Sequence, residues 1–114
     1  MRVERELMRG AGPVAVLKLL DAGEMYGYEL VEALDRRSSG VLAMGQSTLY
    51  PLLYNLEAQG LIKAQWRDGE SGRQRKYYAL TAAGKRRLAT DTKQWEVLSR
   101  AMVAMGILPQ GGQA

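Results

Sequence analysis

The sequence predicts a mainly α (α+β) chain: a winged helix-turn-helix with a two-stranded β wing and a C-terminal dimerisation helix. Three observations lead there. Apolar residues recur at helical spacing in short segments ahead of Gly60. The period changes to two between Ile62 and Leu80. A last segment from Thr81 to about Met105 returns to the helical period.

Each element has its own justification. Arg2 to Arg9 reads as a short helix with Val3 and Leu7 four apart, broken by Gly10-Ala11-Gly12. Pro13 suits the first position of a new helix. Val14, Val16, Leu17, Leu19 and Leu20 make that helix almost wholly apolar and therefore buried, and Gly23 stops it. The second helix runs from about Tyr26 to Arg37, with a stripe of Leu30 and Leu34 opposite Glu29, Glu32, Asp35 and Arg36. The third starts near Gly45–Ser47 and ends at Gln59, where Leu49, Leu52, Leu53 and Leu56 form the inward row.

Ile62, Ala64 and Trp66 alternate with Lys63, Gln65 and Arg67, as in a half-buried strand. Asp68-Gly69-Glu70-Ser71-Gly72 is a loop of turn residues, and Gln74 to Leu80 is the returning strand. Two strands alone are marginal in water, so the hairpin must pack on the helices. Trp66 and Tyr78 or Leu80 are its expected inward anchors. Thr81 is the expected N-cap of the last helix. The expected organisation is a winged helix-turn-helix over residues 1–80, a dimerisation helix over 81–106 and a flexible tail over 107–114.

Composition narrows the chemistry. A chain of 114 residues, 46% hydrophobic and 25% charged, fits one soluble domain. With no cysteine and no histidine, disulfides, thiol nucleophiles, zinc fingers and imidazole catalysis are excluded. No paired acids or glycine-rich phosphate loop stand at a telling spacing, so no enzyme, metal or cofactor is expected. Met1 to Gly10 lacks the apolar centre of a signal peptide. The longest uncharged run, Ser38 to Leu56, is too polar for a membrane span, so a cytoplasmic protein is expected.

The charge is uneven. Residues 1–62 carry a net −2, residues 63–87 a net +6, and the remainder is balanced. A basic stretch confined to one hairpin and the helix start after it points to a polyanion partner; its bland alternative is a solvated surface. On the third helix the side opposite the leucines holds Ser47, Pro51, Tyr54 and Asn55, with Gln46 in the first turn and Thr48 and Tyr50 flanking. This face is uncharged, with only Glu57 near its border, so it tolerates phosphate nearby. Gln and Asn can pair with adenine, and Ser or Thr with several bases. Arg73, Arg75 and Lys76, just past the loop, suit phosphates or a minor groove. The competing readings are tyrosines packed on a neighbour and an edge strand kept soluble by charge.

Together these pieces resemble the PadR family of bacterial transcriptional regulators along about residues 8–100. The likeness rests on Tyr26-Gly27-Tyr28-Glu29-Leu30, Thr48-Leu49-Tyr50-Pro51-Leu52, Leu56-Glu57-Ala58-Gln59-Gly60-Leu61-Ile62 and the run Ser71 to Gly84, which contains Arg75-Lys76-Tyr77-Tyr78. It implies a DNA-binding repressor acting as a homodimer through its C-terminal helix. It also implies a third helix in the major groove, a wing on the backbone or minor groove, and release by aromatic, drug-like effectors in part of the family. Gln46 and Ser47 stand where the family tends to have Pro and Gly, which bears on base preference. The short last helix is similar to that of the family's small branch.

The last helix carries its own dimer signal. Leu88, Trp95 and Met102 recur every seven residues, and Leu98 and Met105 fall three after Trp95 and Met102. Asp91 interrupts the row. The alternative is a stripe that packs only on its own domain. If two chains pair here, Trp95 either packs in the seam or lines a slot for a flat aromatic ligand. The expected function is a sequence-specific DNA-binding regulator, a repressor on a near-palindromic operator. The alternative is a protein-interaction module on the same scaffold that reads no DNA.

Overall fold

The computed structural model describes residues 1–110. Four helices and three strands follow in the order α1 (Arg5–Asp21), β1 (Met25–Tyr26), α2 (Gly27–Arg37), α3 (Gln46–Ala58), β2 (Ile62–Asp68), β3 (Gln74–Leu80) and α4 (Ala82–Ala104). The sheet is antiparallel in the order β1-β3-β2. Leucines of the first three helices supply the core, with Leu17, Leu30, Leu49 and Leu53 almost wholly buried and Ile62 closing it from the sheet.

Two elements differ from the sequence expectation. The N-terminal segment is one helix, not two, with Pro13 inside it. An interior proline costs about 3 kcal/mol through its lost N–H and its clash with the preceding turn. Here the helix continues because its apolar face from Met8 to Leu20 is covered by the rest of the core. Gly12 is no break either. It is buried, and a Cβ there would come within 3.1 Å of the Leu52 side chain, so the bare Cα lets α3 pack close. The second difference is β1. Met25 and Tyr26 pair with Tyr78 and Tyr77, turning the expected two-stranded hairpin into a three-stranded sheet. Two residues carry no period, which is why the strand was not legible in sequence.

The wing forms as expected, in the register Ile62↔Leu80 to Asp68↔Gln74. Gly72 takes a φ of +80° in the connecting turn, a conformation that favours glycine. Tyr78 is an inward anchor, whereas Trp66 is 62% exposed. Trp66 lies on the inward side of the strand by alternation, but burial fades along β2, and the indole borders an open cleft with Tyr26, Gly27 and Tyr50.

Thr81 ties three elements together. Its Oγ1 accepts from the Gly84 N–H at 3.0 Å as the N-cap of α4 and donates to the Gly60 carbonyl at 2.7 Å. Its own N–H donates to the Leu61 carbonyl at 3.1 Å. The end of α3, the end of β3 and the start of α4 are thus fixed to one another. A Cβ on Gly84 would stand 2.0 Å from the Leu61 carbonyl oxygen, so this approach requires glycine.

α4 lies on the core only at its start. Leu88 is 8% exposed and belongs to the chain's own core, so its side chain faces inward rather than along an outer seam. Beyond it the helix is mostly exposed. Gly106, at a φ of +80°, ends it, and the N–H groups of Ile107 and Leu108 both donate to the Met102 carbonyl. The tail expected over 107–114 therefore begins with two residues tied to the helix end; residues 111–114 lie outside the described ones.

Candidate nucleic-acid interface

The outward face of α3 is open. Gln46, Ser47, Thr48, Tyr50, Tyr54 and Asn55 are all exposed, Tyr54 at 73%. The inward row of Leu49, Leu53 and Leu56 is buried, which fixes the helix in this rotation. No side chain caps the first turn after Gly45, and no acid stands in that turn. Its backbone N–H groups and the positive end of its dipole therefore suit a phosphate.

The wing sits beside this face. Tyr50, Pro51 and Tyr54 of α3 border a cleft of about 400 Å³ whose other wall is Lys76 and Tyr78 of β3, with Glu57 at its end. The expected cations are treated differently by the fold. Arg73 is exposed at the tip and takes part in none of the described ion pairs. Arg75 is half-buried with its guanidinium 4.4 Å from the centre of the Tyr26 ring. Lys76 lies 3.7 Å from the Glu57 carboxylate and 5.6 Å from the centre of the Tyr78 ring. Two of the three wing cations are thus held by neighbours, one by an aromatic face and one by an acid.

Burial, then the nearby charge of Glu57 and the neighbouring Tyr50, push the Tyr78 hydroxyl above its ordinary pKa. Tyr78 stays a neutral phenol beneath the lysine.

The segment Tyr26-Gly27-Tyr28-Glu29 is what holds Tyr50 and Arg75 in place. Tyr26 pairs with Tyr77 in the sheet and packs edge-on against its ring at 5.5 Å. Its N–H donates to the Glu29 carboxylate at 3.1 Å, closing the start of α2. A Cβ on Gly27 would meet the Tyr50 hydroxyl at 2.6 Å, so glycine leaves room for that ring.

Several residues of this surface escaped the sequence reading. Arg67 pairs with Glu24 and lies 5.6 Å from the Tyr77 ring centre, tying the outer strand to the loop before β1. Trp66 borders the cleft formed by Tyr26, Tyr50, Gln74 and Lys76. Glu57 stood only at the edge of the helical wheel, and nothing local signals its lysine partner.

The seven-residue row on α4 divides. Trp95 is 40% and Leu98 47% exposed, Met105 is exposed, Met102 is half-buried, and Val97, outside the row, is exposed as well. Asp91, which interrupts the row, accepts from the Arg87 Nε at 3.2 Å, and Arg87 also donates to the Gln59 side chain. Between α1 and α4 runs a groove of about 380 Å³, bordered by Arg9, Pro13, Asp91, Gln94, Trp95 and Leu98. Among the described residues no helix is long and apolar enough to cross a membrane.

The family model for the transcriptional regulator PadR-like family matches residues 16–90, from the buried half of α1 to the start of α4. A transcriptional regulator of Mycobacterium tuberculosis is 35% identical over 96 residues, which cover 84% of this chain and 86% of that protein. A PadR family transcriptional regulator from Eggerthella lenta has a solved structure that matches with a TM-score of 0.76 at 39% identity, over 88% of this chain and 85% of that one. A Streptococcus transcriptional regulator matches with a TM-score of 0.79 at 33% identity, over 90% and 99% of the two chains. The winged helix described above is the fold that these solved structures share with it, and the chain belongs to the PadR-like family of transcriptional regulators.

Proposed function

We propose that the chain acts as a homodimeric repressor that binds a near-palindromic operator through α3 and the wing. One observation carries this: the exposed face of α3, with Glu57 as its one bordering acid, and Lys76 of β3 flank a single cleft. Gln46, Ser47, Thr48 and Asn55 offer donors and acceptors to base edges in the major groove. Tyr50 and Tyr54 offer hydroxyls to the backbone, and Arg73, Arg75 and Lys76 neutralise phosphates. Pairing two chains would set the two copies of α3 roughly 34 Å apart, one turn of duplex.

The pairing surface is the outer part of α4: exposed Trp95, Leu98 and Met105 with half-buried Met102, joined by Val97. Leu88 is left out of it, because it is already used within the chain. Trp95, at the edge of the groove between α1 and α4, is placed to stack on a flat aromatic effector whose binding would change the spacing of the two α3 helices.

The test is a titration of labelled duplex from upstream of the protein's own gene against random-sequence duplex, at two salt concentrations. Preference for the upstream duplex and a steep fall of affinity with salt support the reading. Equal affinity for both duplexes, or binding indifferent to salt, would count against it. Tryptophan emission against a panel of aromatic compounds, with Trp95→Phe as control, checks the effector.

A further inference from the structure

We propose that Trp66 is a DNA-contact residue of the wing, packing its indole on the sugars of the duplex backbone next to a phosphate held by Lys76; this rests on the operator-binding reading above. The placement follows from the sheet. Trp66 pairs across the ladder with Lys76, and Ala64 with Tyr78, so the four side chains share one face. At the Tyr78 end that face turns into the core. At the Trp66 end burial fades, and the indole is 62% exposed. It emerges beside Tyr50 and Gln74 at the cleft that borders the open face of α3.

An exposed tryptophan on a strand has an energetic disadvantage that its surroundings here do not remove. The indole is neither stacked on another described ring nor buried. Its partner across the ladder is a cation, Lys76, in the segment that holds the chain's positive excess. A protein partner that covered Trp66 would have to bury this cation too. A nucleic-acid backbone offers both complements at once: anionic phosphates for the lysine, and between them the apolar faces of the sugars for the indole.

A sugar contact differs from an ionic one in its salt dependence. It releases no counterions, so removing it lowers affinity without changing the slope of log K against log salt. Trp66→Ala is expected to weaken binding to random-sequence and upstream duplex alike by about tenfold, from the loss of partly buried indole surface. The salt slope should be unchanged, and Trp66→Phe should recover most of the affinity. Arg73→Ala, by contrast, should lower the slope by about one unit. Adding random-sequence duplex should quench tryptophan emission of the wild type, and most of that response should vanish in Trp66→Phe. A wild-type preference for upstream over random-sequence duplex tests the operator reading independently. If the wild type binds and Trp66→Ala binds equally well, the inference about Trp66 is overturned. It is also overturned if Trp66→Ala flattens the salt slope as Arg73→Ala does, since the residue would then act only by placing cations. If the wild type itself ignores duplex, the operator reading falls first and this inference with it. Because Trp66 lies outside the core, its variants should unfold at the wild-type temperature, and that measurement accompanies the titration.

Discussion

The Glu57 carboxylate of α3 lies 3.7 Å from the Lys76 ammonium of β3, both side chains about one-third exposed. This contact joins the helix that faces outward to the strand that carries the wing. It also places an acid at the border of a surface otherwise suited to phosphates. An exposed pair of this kind contributes little to stability, on the order of 0.5 kcal/mol.

Glu57→Gln should therefore leave the unfolding midpoint nearly unchanged while removing an acid that competes with phosphate for Lys76. Affinity for duplex should rise several-fold, and the slope of log K against log salt should steepen by up to about 0.9. Duplex titrations at a series of salt concentrations check this. An unchanged slope would mean that Glu57 does not compete with phosphate for Lys76.

Gln46 and Arg75 should separate readout from anchoring. Gln46→Ala is expected to cost about 1–3 kcal/mol at one base pair of the operator and to relax preference there. Arg75→Ala should weaken binding to every sequence by a similar factor. Competition among operator variants, each changed at one base pair, distinguishes the two patterns. A loss confined to one position for Arg75 would reassign it to base readout.

Leu98→Glu introduces charge into the exposed apolar part of α4. It should shift the protein to monomers in sedimentation while leaving its helical signal intact, because Leu98 lies outside the protomer core. Operator affinity should fall by about 100-fold as the second half-site is lost from the same complex. A dimer that persists in Leu98→Glu would move the pairing surface elsewhere.

Tyr78 gives the protein an alkaline limit. Its hydroxyl has a raised pKa in the folded chain, chiefly through burial. A raised value favours the neutral form on folding, so this contribution is fully present below the unfolded pKa of about 10 and is lost as pH rises through the folded value. Denaturant midpoints should therefore fall as pH passes above about 10. Tyr78→Phe should fall less over the same interval. Equal declines for the two proteins would assign the limit to another group.

Much of this was legible in the chain itself. The leucine row of α3 determined which side faces water, because one face must be buried and the other holds what remains. The alternation from Ile62 to Trp66 and the turn residues from Asp68 to Gly72 determined the wing, and Thr81 marked the start of α4. Each signal is local, set by a period or by one residue's own hydrogen bonding. What tertiary structure decided lay between elements. Gly10, Gly12 and Pro13 carry the local marks of a break, yet packing against the core keeps α1 continuous. Met25 and Tyr26 become a strand only because β3 offers them a free edge. Trp66 has the right alternation for burial but sits at the open, exposed end of its strand, and Leu88 has the right spacing for a seam but a core already there to receive it. Periodicity specifies which way a side chain points; only the packed molecule specifies what it meets.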